Sequence, residues 1–357
     1  MVTAWSAGKQ IMEHDSIRAI EWRNNALVLL DQRYLPQKEV DYICDSVADV
    51  ITAIREMVVR GAPAIGVTAA FGVVLAARDS YRQHHEHWQK ALQADLLSLA
   101  QARPTAVNLA WAIEQMSKVI RRCDKGDPHK VLLDKANAML LDDVRCNQTM
   151  GKLGAALIET PGCVVTHCNT GSLATAGYGT ALGVIRSAYE SGMIKHVYAD
   201  ETRPWLQGAR LTAWELVKDE IPVSLIVDSA AAHLMKQGGV SWVIVGSDRI
   251  AANGDVANKI GTYAAAICAR YHGVRFMVVA PTSTIDMNLS SGELIPIEQR
   301  DPDELKSLNG HTFAAEGSEA WNPVFDVTPA ELIDAIVTEK GVIMQPNADK
   351  LLKLMSS

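Results

Sequence analysis

The chain has 357 residues, 48% of them hydrophobic and 21% charged, with a mean hydropathy of +0.03. That is ordinary globular composition, long enough for two cores and hence for two domains. A net charge of -7 and a pI near 5.8 exclude a phosphate-backbone binder, so no nucleic-acid partner is expected, although local basic residues can hold one small anion.

Residues 16–42 alternate and break at Arg23-Asn24-Asn25. Asparagine tolerates left-handed turns, which predicts a small antiparallel hairpin. From 46 to 158, apolar residues recur three and four apart in SVADVITAIREMVV, AIGVTAAFGVVLAARDSY, TAVNLAWAIEQMSKVIRR and HKVLLDKANAMLLDDVRCNQTMGKLGAAL, with Gly61, Pro63, Pro104 and Pro128 at joints. An N-terminal domain of hairpin plus helices, 1–158, follows.

Beyond Pro161-Gly162 the runs become short, β-branched and apolar on both faces: CVVTHC, HVYAD, VSLIV, WVIVGSD and RFMVVAP, with helical stretches between them. Strands buried on both faces and alternating with helices mean a parallel sheet covered on two sides. The fold class expected is therefore α/β, a doubly wound Rossmann-like sheet from about 160 to 290 inside a second domain, 159–357. Thr328 as N-cap, Pro329 at the first position and Glu331 three residues on predict a further helix over LIDAIV.

No apolar run approaches the ~20 residues of a membrane span. The opening MVTAWSAGKQ lacks the apolar core of a signal peptide. Cys44, Cys123, Cys146, Cys163, Cys168 and Cys268 are scattered without C-x-x-C spacing. These features predict a cytoplasmic chain with no membrane partner, disulfide framework or zinc site.

In a doubly wound sheet ligands sit beyond the carboxyl ends of the strands. Those ends read Cys168-Asn169-Thr170-Gly171, Asp200-Glu201-Thr202-Arg203, Asp228-Ser229, Gly246-Ser247-Asp248-Arg249 and Ala280-Pro281-Thr282-Ser283-Thr284. Gly177, Gly179 and Gly183 make a G-x-G-x-x-x-G spacing, but it begins nine residues after the strand, past the expected helix start. They read as glycines that let a helix pack closely rather than as a dinucleotide fingerprint, so no cofactor is expected. The Asn169–Ser172 turn is expected to present backbone N–H groups at a helix N-terminus, suited to an oxyanion. His84, His85 and His87 read as a solvated segment rather than a metal site, and Asp200 and Glu201 as scaffolding of the crevice rim. His167 points to the opposite face from Cys168 along a strand, which argues against a Cys–His dyad.

Four blocks, RGAPAIG at 60–66, THCNTGSLAT at 166–175, ADETRPWLQGARLTAWEL at 199–216 and VGSDRIAANGDVANKIGTY at 245–263, resemble a family that joins methylthioribose-1-phosphate isomerases, ribose-1,5-bisphosphate isomerases and the regulatory subunits of translation initiation factor 2B. The resemblance spans nearly the whole chain. It implies a helical N-terminal domain beside a Rossmann-like one, a homodimer, no metal or organic cofactor, a small sugar-phosphate substrate and a place in methionine salvage. By motif it assigns the catalytic pair to Cys168 and Asp248, and substrate binding to Arg60, Gly61, Ala62, Arg103, Gln207, Asn258 and Lys259. None of these positions departs from the family pattern.

The chemistry suits those residues. Phosphate on the anomeric oxygen of an aldose locks its ring, so the ring must be opened by protonation before hydrogen moves between the first two carbons. Asp248 serves as donor if apolar walls raise its pKa, and Cys168 as acceptor if a helix N-terminus or a cation lowers that of its thiol. A direct hydride shift, with Asp248 moving only the oxygen proton, stays open. Relatives acting on 5-deoxyribose 1-phosphate share much of the pattern. A non-catalytic subunit like those of initiation factor 2B and a nucleotide-dependent dehydrogenase are the competing readings. The remaining cysteines read as packing.

Overall fold

The computed structural model describes residues 15–103, 106–123, 126–308 and 310–356; the opening segment and Pro104 lie outside them. Asn24 and Asn25, with φ of 54° and 63°, turn β1 (Ile20–Arg23) into β2 (Ala26–Leu30), and β3 (Asp41–Cys44) pairs with the far side of β2. Ser46 and Asp49 form a reciprocal capping box that starts the helix Val47–Arg55. Long helices then follow at Ala62–His84, Val107–Ile120 and His129–Ala155.

The helix Ala62–His84 is the spine of this part. The stretch Ala62–Ala91 is long and apolar enough to cross a membrane, a property the run-by-run reading of the sequence did not register, yet 78% of its apolar window is buried inside the protein. Phe71, Val73, Val74 and Leu75 are fully buried in one cluster with Leu109, Met116 and Leu132 from the helices around it. Such all-round apolarity is what a helix surrounded by other elements requires.

The later strands are β4 (Gly162–Thr166), β5 (Ile194–Asp200), β6 (Val223–Ile226), β7 (Val240–Val245), β8 (Arg249–Ala251), β9 (Val256–Lys259), β10 (Arg275–Val279), β11 (Ile285–Asp286), β12 (Ser307–Leu308), β13 (His311–Thr312), β14 (Phe325–Thr328), β15 (Ala335–Thr338) and β16 (Gly341–Met344). Seven of them form one sheet, ordered β16-β15-β10-β7-β4-β5-β6. Its pairs are parallel except β15 with β16. Successive residues feed opposite faces: Val165, Val243, Val245 and Val278 enter one core, Val164, Trp242, Ile244 and Val279 the other. From β4 the chain winds outward through β5 and β6, then returns to build β7, β10 and β15 on the other side. The winding direction therefore reverses between β4 and β7.

Two expectations are corrected. The segment LIDAIV is not helical: Leu332 closes a short 3-10 turn, Ala330–Leu332, and Ala335, Ile336 and Val337 lie in β15, so the sheet runs well past residue 290. Ile336 and Val337 belong to cores on opposite faces, and that two-sided burial outweighs the capping signal. Thr328 ends β14, and the Ala330 amide donates to Asp255 Oδ1 instead. Likewise the link from β7 to β10 begins as a hairpin, β8–β9, before its helix Thr262–His272. With β11 and β14 that hairpin forms a separate four-stranded sheet.

Candidate active site

Ligand crevices in doubly wound sheets open where the winding reverses, here beyond the ends of β4 and β7. Cys168 follows β4, and Asp248 follows β7. The chain after β4 does not enter a helix directly. Residues 167–180 form a loop with one 3-10 turn, Ser172–Ala174, and the helix starts at Ala181. Gly177 and Gly179 thus lie in the loop and only Gly183 in the helix, and no α-helix starts directly after Cys168 in the chain; the N-terminus of the helix Ala62–His84 instead shares a cleft with it. Its own φ is 64°, in the left-handed region that side chains disfavour.

A buried carboxylate organises this loop. Glu215, fully buried, accepts from the Ser172 amide at 2.7 Å, the Leu173 amide at 3.2 Å and Asn169 Nδ2 at 2.8 Å. Within the turn expected to bind an external oxyanion, the Ser172 amide is therefore already taken by the protein's own carboxylate. Arg186, the largest fully buried side chain, donates to Glu215 at 2.9 Å and through Nε to Asp219 at 2.8 Å. Asn169 passes the order outward: its Oδ1 and backbone carbonyl accept from Arg60 at 2.8 and 2.9 Å. Gly171 packs so closely that a Cβ there would sit 2.1 Å from Glu215 Oε2. At Gly61, with φ of 94°, a Cβ would meet the Ala174 carbonyl at 2.5 Å.

Two adjoining clefts open at this end of the sheet. One, about 390 Å³ of space, has Cys168, Arg60, Thr170, Ser247 and Asn258 in its walls. The other, about 560 Å³, has Arg103 and an apolar side of Ile65, Ala106, Ile295, Pro296 and Phe325. Gly61, Ala62 and Asp248 line both. Eight of the nine residues singled out from sequence meet here, counting Lys259, which interacts electrostatically with both Cys168 and Asp248. Gln207 lines neither cleft; it is buried, with Oε1 lacking a hydrogen-bond partner. Sequence reasoning missed Asn169, Glu215 and Arg186 as braces, and the apolar wall of Ile295, Pro296 and Phe325. The only signal for Glu215 was its place inside a quoted block.

Burial raises the pKa of Asp248, while Lys259, Arg60 and Arg103 pull it back down. Burial pushes Lys259 down to about 8 against the opposing pull of Cys168 and Asp248. Lys259 is 6% exposed and its Nζ lies 5.0 Å from the Phe325 ring centroid, the residue it faces across β9 and β14. Behind Cys168, His167 bonds Asp200 Oδ2 through Nδ1 at 2.9 Å and the Ile260 carbonyl through Nε2 at 2.8 Å. A carbonyl only accepts, so Nε2 carries a proton and a second proton is shared with Asp200. Burial opposes charge on His167, but Asp200, with Asp228 and the Ile260 carbonyl, outweighs it and raises the histidine pKa. Among the described residues, His167, Asp200 and Asp228 are the one group with metal-ligating geometry. All three have protein partners already, since Asp228 accepts from the Thr202 and Arg203 amides. His84, His85 and His87 are exposed.

The model of the initiation factor 2 subunit family matches residues 58–345. The chain belongs to that family. Methylthioribose-1-phosphate isomerase of Nitrosococcus oceani is 59% identical over 343 residues, covering 96% of this chain and 99% of that one. The crystal structure of 5-methylthioribose 1-phosphate isomerase from Pyrococcus horikoshii OT3 superposes with a TM-score of 0.90 at 42% identity, covering 96% and 97% of the two chains. A structure titled translation initiation factor eIF-2B, subunit delta, from A. fulgidus superposes with a TM-score of 0.84 at 41% identity, covering 95% and 100%.

Two outcomes follow from this geometry. Gly171→Ala drives a methyl group into Glu215, and overpacking of that kind costs about 1–3 kcal/mol; a urea midpoint equal to that of the unchanged chain would contradict the brace. Lys259 is protonated below about 8, so the positive charge it can offer an anionic ligand is present there and fades as pH rises. Sugar-phosphate affinity by calorimetry should fall by up to about tenfold per pH unit above that value, and Lys259→Arg should flatten the fall. An unbent profile to high pH would remove Lys259 from anion binding.

Proposed function

We propose that the chain is an aldose–ketose isomerase, an intramolecular oxidoreductase that converts 5-methylthio-D-ribose 1-phosphate to 5-methylthio-D-ribulose 1-phosphate in methionine salvage. The observation that carries this reading is near-full-length identity of 59% to a protein of that name. The shared cleft supports the roles of its residues. Asp248, with its pKa raised by burial, gives a proton to the ring oxygen and the ring opens. Cys168, acting as thiolate, takes the hydrogen from carbon 2, and an enol phosphate forms. Returning that proton to carbon 1 while the carbon 2 hydroxyl gives its own to Asp248 yields the ketose and restores both groups.

Arg60, Arg103 and Lys259 supply positive charge for the phosphate, and the Gly61–Ala62 backbone lets it approach closely. Asn258, in the cleft wall, is assigned to a sugar hydroxyl; a like role for Gln207 rests on the family pattern alone, since it lines neither cleft. The apolar wall of Ile65, Ala106, Ile295, Pro296 and Phe325 supports a 5-methylthio end over a phosphorylated one, with 5-deoxyribose 1-phosphate as the alternative substrate. The reading includes a homodimer in the cytoplasm, and six free cysteines fit a reducing compartment. It also includes the division into domains 1–158 and 159–357, which separate apolar clusters support, although Leu173, Ala176 and Leu211 join the N-terminal one.

The likeness to the eIF-2B delta structure favours a second reading, a non-catalytic regulatory subunit. A thiol and a proton donor on one cleft favour the enzyme. Phosphorus and carbon NMR of 5-methylthio-, 5-deoxy- and 5-phosphoribose 1-phosphates incubated with the protein decides between them, with ketose expected from the first. Asp248→Asn and Cys168→Ala should each lower turnover by about 10²-fold or more with the fold retained. Near-normal turnover in either variant removes that residue from the mechanism, and no conversion of any substrate favours the regulatory reading.

A further inference from the structure

Cys168 adopts a left-handed backbone, φ 64°, in a region that few residues with a Cβ occupy unless the surroundings hold them there. Two threonine hydroxyls grip its peptide groups. The Cys168 amide donates to Thr202 Oγ1 at 2.9 Å, and Thr212 Oγ1 donates to the Cys168 carbonyl at 2.6 Å. Each hydroxyl is oriented by its other bond. Thr202 Oγ1 donates to the Asp200 carbonyl at 3.1 Å, and Thr212 Oγ1 accepts from Asn169 Nδ2 at 3.3 Å. A hydroxyl has one proton to give, so neither can rotate without losing a partner.

The supports are themselves held. Thr202 and Thr212 are fully buried. Thr202 is left-handed too, φ 61°, with its amide fixed by Asp228 Oδ1 at 2.7 Å and the next amide by Oδ2 at 2.8 Å. Thr212 closes a π-helical turn, Gly208–Thr212, a local irregularity that turns its side chain toward the loop after β4. Neither threonine lines a cleft, whereas Cys168 does. Their effect on chemistry passes through the cysteine.

We propose that Thr202 and Thr212 are positioning residues, a pair of hydroxyls that locks the Cys168 peptide in its left-handed conformation and so aims the thiol at the substrate. The proposal rests on Cys168 taking the carbon-bound hydrogen. Thr202→Val and Thr212→Val keep shape and remove the hydroxyl, whereas Thr202→Ser and Thr212→Ser keep the hydroxyl. Steady-state isomerisation is measured for all four beside Cys168→Ala, with thermal melts as a check of folding. The expected result is a kcat lower by about tenfold or more in each valine variant, a KM within about twofold of the unchanged enzyme, and serine variants near normal. Thr212→Ala, which leaves room for a water, replaces the valine variant if that does not fold.

Valine variants that fold and turn over normally, or serine variants as impaired as valine ones, overturn the clamp. Crystal structures of the valine variants separate the two claims. If Cys168→Ala keeps its turnover, the role of the thiol fails. The clamp then stands if Cys168 leaves the left-handed region in those crystals and falls if its backbone is unmoved.

Discussion

The contact on which the rest depends is the one between the Glu215 carboxylate and the backbone of residues 172–173, backed by Arg186. A carboxylate shut away from water costs several kcal/mol unless it is paired and fully hydrogen-bonded. Glu215 meets both conditions: two amides and Asn169 Nδ2 on one side, a guanidinium on the other. Once that anion is placed, the loop after β4 has one path. Asn169 then has its amide group oriented, and Arg60 docks on the oxygen that Asn169 turns outward. A residue from the N-terminal half of the chain is thereby fixed against the C-terminal sheet at the mouth of the cleft. Cutting Arg186 away would strand two buried carboxylates, and breaking a buried pair costs about 3–5 kcal/mol.

The sheet contributes the second constraint. Because winding reverses between β4 and β7, the loops leaving these adjacent strands diverge and leave a gap. One loop brings a sulfur and the other a carboxyl. The β8–β9 hairpin then folds back so that Asn258 and Lys259 come over the same gap. Carboxyl, thiol and lysine are thus drawn from three separate stretches of chain, with Arg60 and Arg103 joining them from two more. Burial raises the carboxyl and lowers the amine, the directions that proton donation near neutrality and tunable anion binding require.

Much of this was legible from residue patterns. Two-face apolar runs such as CVVTHC and WVIVGSD mark strands that have no water-facing side, and they are β4 and β7. The long 3.6-residue periods before residue 158 are the observed helices. Other features were hidden for physical reasons. The capping signal at Thr328–Glu331 is local, whereas β15 is set by burial between two cores that no local window contains. The hairpin β8–β9 is short and polar at its turn, so it resembled a loop on the way to a helix. The anion-binding look of Asn169–Ser172 is met, at the Ser172 amide, by an anion of the protein itself. Amides in that conformation do attract a carboxylate, but it comes from Glu215, over forty residues away, and no spacing rule connects the two.

The most direct measurement is a crystal structure of the protein soaked with 5-methylthioribulose 1-phosphate. The account predicts that carbons 1 and 2 of the sugar lie between Cys168 Sγ and the Asp248 carboxyl, with the phosphate against Arg60 and Lys259. A sugar bound with either group out of reach of those carbons would contradict it.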